Sequence, residues 1–239
     1  MKKLKTLGIV SMVVLVLIMA VIAVFAALGF FKIETDENGK NEIIFTPLEN
    51  KNKFFEWQTS ETEGDITAVF KTSAGDFEVK LGDCAAAEKF TELDNAGTFD
   101  GTEFSVLAEN MFIQTSLSGS GFSLEENEFA CINGAVGFVI EKGEAYPSLV
   151  VITAEELSFV SEGFLSGSGF DEERKEIYGN FGGVPELEGK IIVFGMVSSG
   201  NEIVEKIENG ENSGYTGGFS AFEPVKINSV EISFPAEEN

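Results

Sequence analysis

Asp100-Gly101-Thr102-Glu103-Phe104-Ser105-Val106-Leu107-Ala108-Glu109-Asn110-Met111-Phe112-Ile113-Gln114 is the stretch that decides how this chain folds. An Asp-Gly turn signal opens it, an apolar run follows, Glu109-Asn110 breaks the run, and Met111-Phe112-Ile113-Gln114 resumes it. Such punctuation marks short strands joined by tight turns. The pattern extends in both directions. Upstream, Ile66 to Thr72, the turn Ser73-Ala74-Gly75-Asp76, and Phe77 to Leu81 read as a hairpin of two alternating strands. Ala85 to Ala96 reads as a helix, with Ala85, Ala86, Phe90 and Leu93 on one face and Gly97 as its stop. Far downstream, Pro224 to Phe234 reads as a closing strand. Its apolar residues Val225, Ile227, Val230, Ile232 and Phe234 change phase once near Asn228-Ser229, as a bulge would produce.

The balance of charges excludes whole classes of function. The chain of 239 residues carries a formal charge of −24. Residues 1–31 contain three lysines and no acid, which leaves 13 basic against 40 acidic side chains in the remainder. Nucleic acid and anionic surfaces would be repelled by that remainder. No acidic loop of EF-hand form is present, so the acid reads as a solvated, solubilising face. The sequence has no histidine, which removes the Ser-His-Asp triad, the Cys-His pair and every imidazole metal site. No metal and no cofactor are expected. A single arginine, Arg174, lies in an acidic run.

The front of the chain has its own character. Lys2, Lys3 and Lys5 mark a basic tail over 1–6, and Leu7 to Phe31 runs for 25 residues without a charge. A helix needs about 20 such residues to cross the bilayer core, whereas the apolar part of a cleaved signal is about 7–15. An uncleaved anchor over 7–31 is therefore expected, with the N-terminus cytoplasmic and the acidic bulk outside. Residues 32–64 read either as a spacer or as an extra strand or short helix packed on the domain. The patches Ile43-Ile44-Phe45 and Phe54-Phe55-Glu56-Trp57 are what raise the second possibility. A folded domain is expected over 65–234, followed by a tail over 235–239.

The central stretch resembles the core of the cyclophilin family of peptidyl-prolyl isomerases, where the run reads roughly Asp-Gly-Thr-x-Phe-His-Arg-Val-Ile-x-x-Phe-Met-Ile-Gln. Ser116 to Phe122 resembles the glycine-rich loop that follows the family's Gln. Read alone it suggests a phosphate cradle, but no Lys follows it and no strand-to-helix switch frames it. Glu125 to Phe129 and Gly134 to Phe138 are similar to the next family segments, and Ser148-Leu149-Val150-Val151-Ile152-Thr153 stands in place of Ser-Gln-Phe-Phe-Ile-Thr. Tyr178-Gly179-Asn180-Phe181-Gly182-Gly183-Val184-Pro185 resembles an insertion of some bacterial members. Leu187-Glu188-Gly189-Lys190-Ile191-Ile192-Val193-Phe194-Gly195-Met196-Val197 is close to Leu-Asp-Gly-Lys-His-x-Val-Phe-Gly-x-Val, and Gly200 to Ile207 matches the helix after it. The resemblance implies a mainly-β fold, a closed eight-stranded antiparallel barrel capped by two helices, here preceded by one transmembrane helix.

It also implies a site. In the family an Arg beside the prolyl amide, an apolar pocket and flanking Gln and Asn groups favour the twisted amide. By position, Val106 replaces that Arg, Gln114 keeps the groove Gln, and Met111 and Phe112 fall on the Phe-Met pair. Leu149 replaces a second Gln, Val151 the pocket Phe, Ile140 the Asn, Ile191 the groove His, and Glu186 a Trp. The groove candidates are thus Met111, Phe112, Gln114, Leu149, Val151 and Ile191, with no catalytic residue assigned. Proline-containing or unfolded exported polypeptides are the implied partners, beside the membrane through the anchor. An active isomerase using another donor and a purely structural envelope domain are the alternatives. Cys84 and Cys131 either form a bridge, which would stabilise by about 4 kcal/mol, or are inert core thiols. The second reading is preferred because neither family position calls for Cys.

Overall fold

The computed structural model describes residues 31–35, 41–45, 53–60 and 66–235, apart from Ser118 and Glu126. Strands β1 (Phe31–Thr35) and β2 (Asn41–Phe45) form an antiparallel ribbon in the register Phe31↔Phe45 and Ile33↔Ile43. The Ile43-Ile44-Phe45 patch is therefore strand, paired with β1. The elements that follow make a second unit. The charge-free segment expected as an anchor lies outside the described residues, except that its last residue, Phe31, opens β1. Among the described residues no helix is long and apolar enough to cross a membrane.

The second unit is built on eight strands: β3 (Ile66–Thr72), β4 (Asp76–Leu81), β5 (Glu103–Ala108), β6 (Phe112–Thr115), β7 (Ala135–Glu141), β8 (Glu144–Ile152), β9 (Ile191–Ser199) and β10 (Ser220–Ser233). They close into a barrel in the order β10-β3-β4-β9-β7-β8-β6-β5, as expected. Closure leaves no unpaired edge. It depends on β10, whose first part pairs with β5 (Val225↔Phe104) and whose second part pairs with β3 (Ile227↔Thr72). The register slips between Ile227 and Ser229, so Asn228 is the extra residue that the change of phase foretold. The strand begins at Ser220, earlier than Pro224. Pro224 sits where the β5 pairing is irregular, which suits a residue that has no N–H to give.

Alternation along the strands sends aromatic rings inward. Phe70, Phe77, Phe104, Phe138 and Phe194 are all buried inside the barrel with Phe90 and Phe99. Phe70 stacks on Phe77 with centroids 4.8 Å apart, and Phe194 touches Phe90 at 4.6 Å and Phe138 at 4.8 Å. Each such ring contributes roughly 1.5–3 kcal/mol through burial. Helix α2 (Ala85–Asn95) delivers Phe90 to this core. Its buried face is Ala86, Ala87, Phe90 and, in part, Leu93, whereas Ala85 is exposed, because the helix starts at the Cys84 cap and Ala87 rather than Ala85 shares a side with Phe90. Gly97 follows in the left-handed region at φ +71, the expected stop. Helix α5 (Asn201–Glu208) adds Val204 and Ile207 to the same core.

Three further helices cover the outside. Helix α1 (Lys53–Thr59) packs Phe55 and Gln58 against the barrel unit, so the Phe54-Phe55-Glu56-Trp57 patch is a docked helix. The excursion between Thr153 and Pro185 holds α3 (Phe159–Gly167) and α4 (Glu172–Phe181), capped by the side chains of Ser158 and Asp171. Gly182 and Gly183 end it at φ +65 and +114. A Cβ on Gly182 would lie 2.3 Å from the Glu155 carbonyl oxygen, and one on Gly183 would lie 2.4 Å from that of Cys131. The pair is glycine because backbone presses on backbone there.

Candidate functional site

The central stretch forms β5, the turn at Glu109 to Met111, and β6. Asn110 takes the left-handed conformation at φ +56, and Met111 N donates to Ala108 O at 3.0 Å. The turn is fastened from the far side of the fold. Glu208, buried at the end of α5, accepts from Asn110 N at 2.7 Å and from Thr153 Oγ1 at 2.5 Å. Thr153 N in turn donates to Met111 O at 3.1 Å.

Register then fixes which residues share a face. Val106 pairs with Gln114 and Gln114 with Val150, while Phe112 pairs with Ile152. Ile113 pairs with Leu107 on one side and with Val151 on the other. Side chains alternate along a strand. Leu107, Ile113, Val151 and Leu149 therefore point into the barrel, where all four are buried. Val106, Phe112, Gln114, Val150 and Ile152 lie on the opposite, outer face.

The outer face thus brings together Val106, Gln114 and Phe112, with Met111 exposed at its end. It does not include Leu149 or Val151, which are core. Ser148 and Val150 take their places. Gln114 Nε2 donates to Ser148 Oγ across a long 3.4 Å, and Ser148 Oγ donates to Thr115 O at 2.7 Å. Sequence pattern missed this because Leu149 to Ile152 is apolar at every position, so only the pairing partner can say which residues face out. Val150 and Ile152 are 2% and 1% exposed, within an apolar cluster that also holds Leu165 of α3, Ile177 and Tyr178 of α4, and Ile191. Phe112 packs against that cluster. Glu186 accepts from Ser161 Oγ of α3 at 3.1 Å. Ile191 itself pairs with Val139 and lines a small cleft of about 170 Å³ with Ile140, Cys131, Arg174 and Glu188.

Arg174, the one guanidinium in the sequence, is committed elsewhere. It lies between two rings, its carbon 5.0 Å from the Phe55 centroid and 5.7 Å from that of Phe170. It pairs with Glu188 and donates through Nη2 to Glu128 O at 2.7 Å. Tyr178 Oη donates to Glu188 Oε1 at 2.6 Å and accepts from Cys131 N at 2.9 Å. Burial, with Cys131 and Glu188 nearby, pushes the Tyr178 phenol far above its ordinary range, so it stays a donor.

Cys84 and Cys131 are free thiols. Burial raises both, Cys131 strongly, which keeps them out of the thiolate form. Iodoacetamide added to native protein is expected to label Cys84 slowly and to leave Cys131 unlabelled until denaturant is added. Intact mass checks this, and a label gained only after reduction would show a bridge instead.

The closed eight-stranded antiparallel barrel, with Gln114 on its outer β5–β6–β8 face, is the architecture that the resemblance implies. The sequence matches the family model of cyclophilin type peptidyl-prolyl cis-trans isomerases over residues 67–232, well over half of its length, and the chain belongs to that family. Among solved structures it is similar to a cyclophilin type peptidyl-prolyl cis-trans isomerase of Cryptosporidium parvum, at 16% identity and a TM-score of 0.51, covering 72% of this chain and 98% of that one. A second structure of that protein, obtained in the presence of the dipeptide Ala-Pro, matches at 16% identity and a TM-score of 0.51, covering 70% and 98%. Comparison with curated proteins returns no match.

Proposed function

We propose that this barrel binds proline-containing or extended polypeptide segments on the β5–β6–β8 face and isomerises them slowly. The observation that carries the reading is Val106. It takes the family's Arg position by sequence and pairs with Gln114, so an apolar side chain stands where the donor would be. Arg174 offers no substitute, since its guanidinium is held by Glu188, Glu128, Phe55 and Phe170. The Ala-Pro dipeptide present with the Cryptosporidium parvum protein supports prolyl peptides as the ligand class. The test is a protease-coupled isomerisation assay on a prolyl peptide, run beside a binding titration with the same peptide. A purely structural role is the second reading, favoured by the burial of Val150 and Ile152 among residues of α3 and α4. Absence of saturable peptide binding would select it.

The reading extends to place. The charge-free segment at 7–31 behind three lysines supports a barrel tethered outside the membrane, where exported, incompletely folded chains are the available partners. A reporter enzyme fused after residue 35 is expected to be active outside the cytoplasm and silent within it. The reverse pattern sinks this part of the proposal.

A further inference from the structure

Helix α1 lies outside the residues matched to the family, yet side-chain packing and hydrogen bonds fix it to the barrel unit. Gln58 exchanges two hydrogen bonds with the backbone of Ala130, each 2.9 Å. Lys80 Nζ caps the end of the helix by donating to Trp57 O at 2.7 Å and to Ser60 O at 2.5 Å. Phe55 faces the barrel unit, and Phe54 and Trp57 are only half-buried. Those two rings wall a cleft of about 650 Å³ between α1 and α2, inside the roughly 300–1,000 Å³ usual for ligand clefts.

The cleft is already formed. Phe129 meets Phe54 edge-on at 4.9 Å and Trp57 at 5.2 Å, so three rings make one apolar floor. A Cβ on Gly82 would lie 2.8 Å from Phe129 and 3.4 Å from Trp57, so the missing side chain lets the rings close over the end of β4. The rim is acidic. Asp83 and Glu88 border the cleft from the start of α2, with Lys53 on the rim, its Nζ 5.1 Å from the Phe54 centroid, while the buried Lys80 holds its Nζ 4.7 Å from the Trp57 centroid. None of these residues belongs to the β5–β6–β8 face.

From this we infer that the α1–α2 cleft is a second peptide site, for a segment that presents an apolar side chain followed by a basic one. The three rings bury the apolar group. The Asp83 and Glu88 carboxylates hold the cation, each weakly at such exposure. The formal charge of −24 draws basic segments in and turns acidic ones away. The inference is independent of the prolyl-peptide reading, because it uses neither Val106 nor Gln114.

Trp57 is the one tryptophan of the sequence, so its emission reports on this cleft. The experiment titrates the full chain with N-acetyl-Phe-Leu-Arg-amide, with the same peptide carrying Glu for Arg, and with octylammonium. The basic peptide is expected to shift Trp57 emission saturably, and the acidic one to bind at least about tenfold more weakly, from the sum of two exposed charge interactions. Asp83→Asn with Glu88→Gln, both on exposed side chains, is expected to weaken the basic peptide by about tenfold while leaving the melting curve in place. Thr91→Phe, which fills the cleft from α2, is expected to remove the response. No saturable shift, equal affinity for the two peptides, or unchanged affinity in the doubly neutral variant would each overturn the inference. So would tighter binding of octylammonium than of the basic peptide, since the site would then be one for small amphiphiles.

Discussion

Wild-type protein in a protease-coupled assay is expected to isomerise a prolyl peptide about 10²–10³-fold more slowly than a cyclophilin that keeps its arginine. The amide barrier is about 18–20 kcal/mol, because the C–N bond is partly double. Only contacts stronger with the twisted amide than with the planar one lower it. Removing a single donor of this kind costs roughly 3–4 kcal/mol, and Val106 offers none. Gln114 remains but is engaged with Ser148. Val106→Arg is expected to recover part of the rate, since Val106 is half-buried on the outer strand face and a longer chain can extend from it. Wild-type turnover equal to that of an arginine-bearing cyclophilin would refute the proposed function. A folded Val106→Arg protein that gains neither rate nor affinity would favour the structural reading.

Arg174→Ala is expected to lower stability by about 3 kcal/mol, near the bottom of the range for breaking a buried ion pair. The low end applies because the Arg174 and Glu188 side chains keep 17% and 15% of their exposure. Four elements meet on this guanidinium: α1 through Phe55, the approach to β7 through Glu128 O, α4 itself, and the start of β9 through Glu188. Without it Glu188 keeps the Tyr178 hydroxyl, while the Phe55 and Phe170 rings lose the plate between them. Arg174→Lys should recover little, because an ammonium cannot lie flat between two rings and also reach two acceptors in a fork. Urea unfolding of the three proteins checks both statements. A loss below about 1 kcal/mol in Arg174→Ala would mean the cluster is only surface charge. Isomerisation per folded molecule should not change, which separates this arginine from any catalytic part.

The frame of the barrel was legible because it rests on local rules. Turn residues, alternation and the change of phase at Asn228 are written in neighbouring letters, and the structure bears them out. What escaped reading depends on partners distant in the chain. Leu149 and Val151 read as groove candidates by family position, in a run that is apolar on both sides, and pairing with β6 places them in the core. The caps of α3 and α4, Ser158 and Asp171, were visible signals, but the glycine- and acid-rich excursion obscured them. In the sequence Arg174 stands out only as the one arginine, in an acidic run. Its role follows from Phe55, Glu128, Phe170 and Glu188, which stand far apart in sequence.

The excursion closes on itself in a way that bears on how this barrel varies. Gly183 N donates to Ala154 O at 2.8 Å, so residues 155–182 leave the strand and return at nearly the same point. A loop whose ends already touch makes little demand on chain length, since closure cost grows only with the logarithm of the number of residues. The Gly182-Gly183 pair acts as the clasp of the excursion, whose interior is tied to the barrel unit by Leu165, Ile177, Tyr178 and Arg174. Residues inserted at Gly169, which is exposed and has no atom within 4 Å of where a Cβ would stand, lengthen the excursion without touching those contacts or the registers of β8 and β9, so this is the place to graft a reporter loop onto the barrel.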